Sequence, residues 1–143
     1  MPSPRSGSQV ISATCHCGAV HIEVARRPTS VTQCNCSICR RYGALWAYYT
    51  RRSVRLAPHP ALLSTYVWQD KAVRFQRCKA CGCVTHWDTA DASPKGRFAV
   101  NARLMDQERI ARTPIRVLDG DQSWHTLRTF MQPDIFISPF RIP

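Results

Sequence analysis

Three clusters of cysteine carry the chemistry that this sequence can do. The chain has eight Cys, arranged as Cys15-His-Cys17-Gly, Cys34-Asn-Cys36-Ser-Ile-Cys39 and Cys78-Lys-Ala-Cys81-Gly-Cys83. Gaps of one and two residues let one tight turn aim two sulfurs at the same ion. Gly18 and Gly82 follow the second Cys of their clusters and let the backbone turn sharply there. Soft thiolates in a tetrahedral array suit zinc. Iron–sulfur is the competing metal, but the spacings match neither of the usual ferredoxin patterns. The chain starts Met1-Pro-Ser-Pro-Arg-Ser-Gly-Ser, without the apolar stretch of a secretory signal. The reading is therefore a cytoplasmic domain, where thiols stay reduced and clustered Cys point to metal rather than disulfides.

The two outer clusters read as halves of one site. Cys15, Cys17, Cys78 and Cys81 supply four sulfurs, a closed shell with a structural role. The middle cluster differs. Cys34, Cys36 and Cys39 supply three sulfurs within six residues, which leaves one position open for an exogenous thiolate or water. The expectation is two zinc ions per chain, one structural and one catalytic and labile. The spacing leaves a second state open, in which Cys83, His86 or His16 closes the middle site and both ions are structural.

Other residue types add less. His86 lies just past the third cluster and is expected to face solvent from a strand, with a general base as the alternative. Trp46, Tyr48, Tyr49, Tyr66, Trp68 and Trp87 are expected to fill a β core rather than stack a ligand. No phosphate-cradling Gly loop and no Ser nucleophile elbow occurs.

The elements that must hold these groups are short and mostly extended. Val20, Ile22 and Val24 alternate with His21 and Glu23 as a half-buried strand. Strands are also expected over 44–49, 62–68, 73–77, 84–88 and 97–104, with turns at Pro58, Pro60, Gly82 and 93–96. One helical turn is expected over 37–42, ended by Gly43, and a second helix over 106–112, stopped before Pro114. Residues 1–8 read as a frayed start, 9–130 as one zinc domain and 131–143 as an extended tail. No apolar run reaches the roughly 18 residues of a membrane-spanning helix.

The formal charge of +11 favours anionic partners. The basic residues are scattered, and the densest group is Arg40, Arg41, Arg51, Arg52 and Arg55. They form no continuous stripe, so nucleic acid is possible but not favoured.

The series Cys15-x-Cys17-Gly, Cys34-x-Cys36-x-x-Cys39-Arg-Arg and Phe75-x-x-Cys78-x-x-Cys81-Gly resembles the glutathione-dependent formaldehyde-activating enzyme family, which includes centromere protein V. The resemblance covers about residues 10–125, and Trp124 agrees with it loosely. It implies an all-β, Mss4-like fold: a small zinc-stapled β-sandwich of short antiparallel strands with little helix. It implies structural zinc at Cys15, Cys17, Cys78 and Cys81, and catalytic zinc at Cys34, Cys36 and Cys39. The implied activity is that of a carbon–sulfur lyase, joining glutathione to formaldehyde as S-hydroxymethylglutathione or reversing that step. Arg40 and Arg41, beside the middle cluster, would hold the glutathione carboxylates. The rival class is a non-enzymatic zinc module that binds nucleic acid or a protein partner through its basic face.

Overall fold

The computed structural model describes residues 9–57, 59–68 and 72–131. The expected frayed start and all of the expected tail except Met131 lie outside the described residues. Eleven short strands dominate: β1 (Ile11–Thr14), β2 (His21–Val24), β3 (Val31–Cys34), β4 (Trp46–Thr50), β5 (Val54–Leu56) and β6 (Leu63–Trp68) in the first half. The second half holds β7 (Val73–Cys78), β8 (Val84–Thr89), β9 (Arg97–Asn101), β10 (Pro114–Leu118) and β11 (Thr126–Met131). Among the described residues, helix is confined to α1 (Ser37–Tyr42), α2 (Gln107–Ile110) and three single 3-10 turns. Among the described residues no helix is long and apolar enough to cross a membrane.

The strands form two sheets. The small one runs β1-β2-β5, and the large one runs β11-β10-β3-β4-β9-β8-β7-β6. Among the described residues all pairings are antiparallel except β3 with β10, which run parallel with Ile115 opposite Val31 and Leu118 opposite Cys34. Short antiparallel strands with little helix are as expected, with this one parallel pair added to them. It joins segments about eighty residues apart and carries the end of β10 to the sulfur cluster that begins at Cys34.

Alternation along the central strands separates two cores. On β4 and β9, Ala47, Phe98 and Val100 face a main core that includes Ile11, Ile22, Val24 and Val31 of the neighbouring elements. Trp46 and Ala99, one residue out of phase, join Phe75 and Trp87 in a second, aromatic core on the opposite face. A strand side chain points to alternate faces, so adjacent residues build different cores. Asp88, nearly buried on β8, is held by the Arg74 fork at 2.8 and 3.1 Å and by Arg51 Nη2 at 3.3 Å. These charge-assisted bonds tie β7 and β8 to the 3-10 turn after β4.

The helices begin and end as local chemistry dictates. The Cys36 sulfur caps α1 by accepting from the Cys39 N–H, and Gly43 ends it in the left-handed region at φ 64°. Asp106 caps α2 through the Glu108 N–H at 3.0 Å, and the segment stops well before Pro114.

Candidate functional site

The outer clusters meet. Sulfurs of Cys15, Cys17, Cys78 and Cys81 all lie within 4.8 Å of one another. Two similar turns present them. In one, Gly18 (φ 84°) donates to the Cys15 carbonyl; in the other, Gly82 (φ 80°) donates to the Cys78 carbonyl. Both glycines adopt a backbone that side chains rarely tolerate. Cys81 is held low, at about 5, first by the Cys83 backbone N–H and then by that of Cys17. The Cys17 and Cys78 sulfurs are 3.6 Å apart across 61 residues of chain. The set can hold one metal ion in a closed shell, and it links the small sheet to the large one.

The middle cluster also converges. Cys34, Cys36 and Cys39 are all buried, with sulfurs within 4.8 Å of one another. Cys34 ends β3, Cys36 caps α1 and Cys39 sits in the first turn of that helix, so one strand-to-helix corner aims all three inward. Cys34 is pulled down to about 6, chiefly because it accepts from the Cys39 thiol, with backbone N–H groups of Cys36 and Gly120 adding to this against burial. Cys39 is pushed up by its bond to Cys34 and by burial. The Trp46 indole N–H donates to the Cys39 sulfur at 3.3 Å. Such a donor stabilises a thiolate and fixes its direction, as outer-shell partners of metal ligands do.

Among the described residues, no fourth His, Cys, Asp or Glu belongs to this trio. The three residues that could have closed it lie elsewhere. Cys83 sits beside Cys81 and packs against the main core. His16 is exposed between Cys15 and Cys17. His86 is 1% exposed, which corrects the expectation of a solvent-facing residue. It stacks flat on Phe98 at 4.7 Å and bonds the Thr85 hydroxyl at 2.8 Å. β8 is a central strand covered on both faces, so outward alternation does not apply there.

The trio forms one wall of a cavity of about 550 Å³. All four tryptophans of the chain line it. The aromatics expected to be core filler are therefore partly cavity wall. Trp46 and Trp87 are buried and touch edge to face at 6.5 Å, whereas Trp124 is exposed at the rim. Two arginines also line the cavity. Arg97 lies over the Trp87 ring at 5.4 Å, and Arg116 over the Tyr48 ring at 6.0 Å while donating to the Thr32 hydroxyl. Among the described residues neither is paired with a carboxylate. Arg40 and Arg41 are exposed on α1 and are not among the lining residues; Arg41 donates to the Ser37 carbonyl at 2.7 Å. Nothing local marks Arg97 or Arg116, since each reaches the site only through sheet pairing.

The loop between β10 and β11 closes the corner. Asn35, between two of the cysteines, donates to Asp119 at 3.0 Å and accepts from the Asp121 N–H at 3.0 Å. Asp119 in turn accepts from the Ser123 backbone and hydroxyl. Trp124 then adopts φ 60°, the sole non-glycine with positive φ among the described residues.

A family model described as glutathione-dependent formaldehyde-activating enzyme matches residues 10–118, more than three quarters of the chain. The chain belongs to this family. The match spans both cysteine sets and ends at Leu118, before the loop that carries Trp124. A crystal structure of a Rhodobacter sphaeroides protein is similar in fold, with a TM-score of 0.55 and 30% identity, covering 65% of this chain and 85% of that one.

Proposed function

We propose that this chain is a carbon–sulfur lyase that makes or breaks an adduct between a glutathione-like thiol and an aldehyde. The reading assigns a structural zinc to Cys15, Cys17, Cys78 and Cys81, and a catalytic zinc to Cys34, Cys36 and Cys39. One observation carries it: three buried sulfurs face a cavity, and no fourth side-chain donor belongs to their cluster among the described residues. A three-ligand site with an open position is the pattern of a catalytic rather than a structural zinc. When bound, the zinc supplies a Lewis-acid position that keeps a thiol deprotonated near neutral pH.

The reaction adds a thiol across a carbonyl. The S–C bond forms, the C=O π bond opens, and the thiol proton ends on the new hydroxyl. The reverse step returns aldehyde and thiol. The Trp46 indole N–H orients the Cys39 ligand. The aromatic core behind the trio excludes water from the reacting sulfur. Arg97 and Arg116 take the carboxylates of the tripeptide, the role expected of Arg40 and Arg41, because they line the cavity without a carboxylate partner among the described residues. His86 has no part in proton transfer, being closed off on the main-core face against Phe98.

The test is Cys36→Ser. Serine keeps the helix cap, since its hydroxyl also accepts from the residue 39 N–H. The variant is expected to hold one zinc instead of two, by elemental analysis. It should lose the acceleration of exchange between glutathione, formaldehyde and their adduct, read by NMR above the uncatalysed rate. Its near-ultraviolet circular dichroism should not change. Two retained zinc ions with full activity would overturn the assignment.

A further inference from the structure

The cavity is too large and too aromatic for a one-carbon aldehyde. A molecule of two heavy atoms is little larger than water, whose share of liquid volume is about 30 Å³. The space beside the trio is about 550 Å³, within the range of sites for drug-sized ligands. Glutathione fills part of it, but the tripeptide is polar, and its amides find few partners on the wall next to the sulfurs. That wall is Trp46, Phe75 and Trp87, packed in one cluster with Cys34, Cys36 and Cys39. The aldehyde carbon is bonded directly to the reacting sulfur, so whatever that carbon carries must lie against these rings.

Trp124 lines the same space. A side-chain carbon at Gly120 would meet Cys34 Sγ, Cys36 Cβ at 3.4 Å and Trp124 Cζ3 at 3.6 Å, so Gly120 brings the edge of the Trp124 ring into the neighbourhood of the trio. Trp124 is 59% exposed, and its φ of 60° is a conformation that a bulky residue adopts only when its surroundings hold it there. The Asn35–Asp119–Ser123 bonds do the holding. A fixed, half-exposed indole that shares the cavity lining with buried Trp46, Phe75 and Trp87 is suited to pack on a flat apolar group held there.

We propose that the aldehyde half of the substrate is aromatic, so that the enzyme handles the adduct of glutathione with an arylaldehyde, GS–CH(OH)–aryl, with Trp124 as the residue that selects it. This rests on the carbon–sulfur lyase reading above. The step balances as before: glutathione thiol and arylaldehyde combine with no other reactant. Arg97 and Arg116 hold the tripeptide's carboxylates, while Trp46, Trp87 and Trp124 enclose the ring.

The experiment compares S-benzylglutathione with S-methylglutathione on the zinc-loaded protein, by calorimetry and by quenching of the cavity tryptophans. The benzyl conjugate is expected to bind at least tenfold more tightly, because only it buries a ring against the aromatic floor. Trp124→Ala should cut that ratio below about threefold and leave the zinc content unchanged. Exchange NMR with benzaldehyde in place of formaldehyde should show a larger acceleration over background. Equal affinities for the two conjugates, or a ratio that Trp124→Ala leaves intact, would overturn the aromatic assignment. If Cys36→Ser then still abolished formaldehyde exchange, the lyase reading would stand without it. If Cys36→Ser left exchange untouched, the lyase reading itself would fall.

Discussion

Gly120 lacks a side chain where the Cys34 sulfur takes up the space that one would need. Its φ is not in the left-handed region, so the constraint is steric contact rather than backbone freedom. Gly120→Ala is expected to push the loop off the trio at a cost of about 1–3 kcal/mol. Metal affinity at the middle site should fall at least tenfold while the outer set stays loaded, as read by competition with a chromophoric chelator. Nothing in the neighbouring sequence marks this glycine, because the Cys34 sulfur it touches lies 86 positions earlier. His86 is the other residue whose role the fold decides. Burial pulls it from 6.5 to about 4, with Asp88 opposing and Arg51 and Arg74 reinforcing. A lowered histidine is neutral in the folded chain and protonated in the unfolded chain between those values. Stability is therefore complete above about pH 6.5 and falls as pH drops towards 4, by ~3 kcal/mol in all. His86→Gln should show a flatter slope over that window in urea unfolding. An equal slope in both proteins would mean that other groups, the cysteines foremost, dominate acid unfolding.

At the scale of elements, legibility follows locality. The turn Ser37–Tyr42 with its Gly43 terminator is plain in the sequence because a cap and a left-handed glycine are local signals. The strand β2 is plain because one face is buried and the other is not. β3 and β10 are four and five residues long, and their parallel pairing across about eighty residues leaves no local trace. That pairing delivers both Arg116 and the loop of Asp119, Gly120 and Trp124 to the cysteines. Arg116, one of the two arginines in the cavity wall, was thus hidden, and the two arginines beside the cysteines in sequence lie off the cavity. The loop also stores strain. Holding Trp124 in the left-handed region costs roughly 1–2 kcal/mol. Trp124→Gly removes that cost and sacrifices little burial, since the residue is mostly exposed. The variant should be as stable as the parent or slightly more so in urea, while the KM for the thiol adduct rises several-fold. A loss of more than about 1 kcal/mol would make the ring a packing element rather than a cavity wall.

At the scale of the whole molecule, the two sulfur sets divide labour by the core they belong to. Cys15 and Cys78 are buried in the main core, and their set joins the hairpin β1–β2 of the small sheet to the turn between β7 and β8 in the large one. The trio belongs to the aromatic core on the other face of the large sheet and spans a single strand-to-helix corner. Removing a cross-link of about sixty residues frees the unfolded chain by roughly 4 kcal/mol in the loop-closure picture. That is a large share of the 5–15 kcal/mol by which a domain is stable, before the metal's own binding energy is counted. Releasing metal from the trio frees no long loop. Titration with a chelator should therefore proceed in two phases. The first releases one zinc with no change in far-ultraviolet circular dichroism, and glutathione should slow it by occupying the open position. The second releases the other zinc together with cooperative unfolding. Cys78→Ala should remove the second phase by leaving the chain unfolded at 37 °C, whereas Cys36→Ser should remove the first and leave the second in place. A single phase in which both ions leave as the chain unfolds would mean that the trio also supports the fold, and the labile, open site would have to be abandoned.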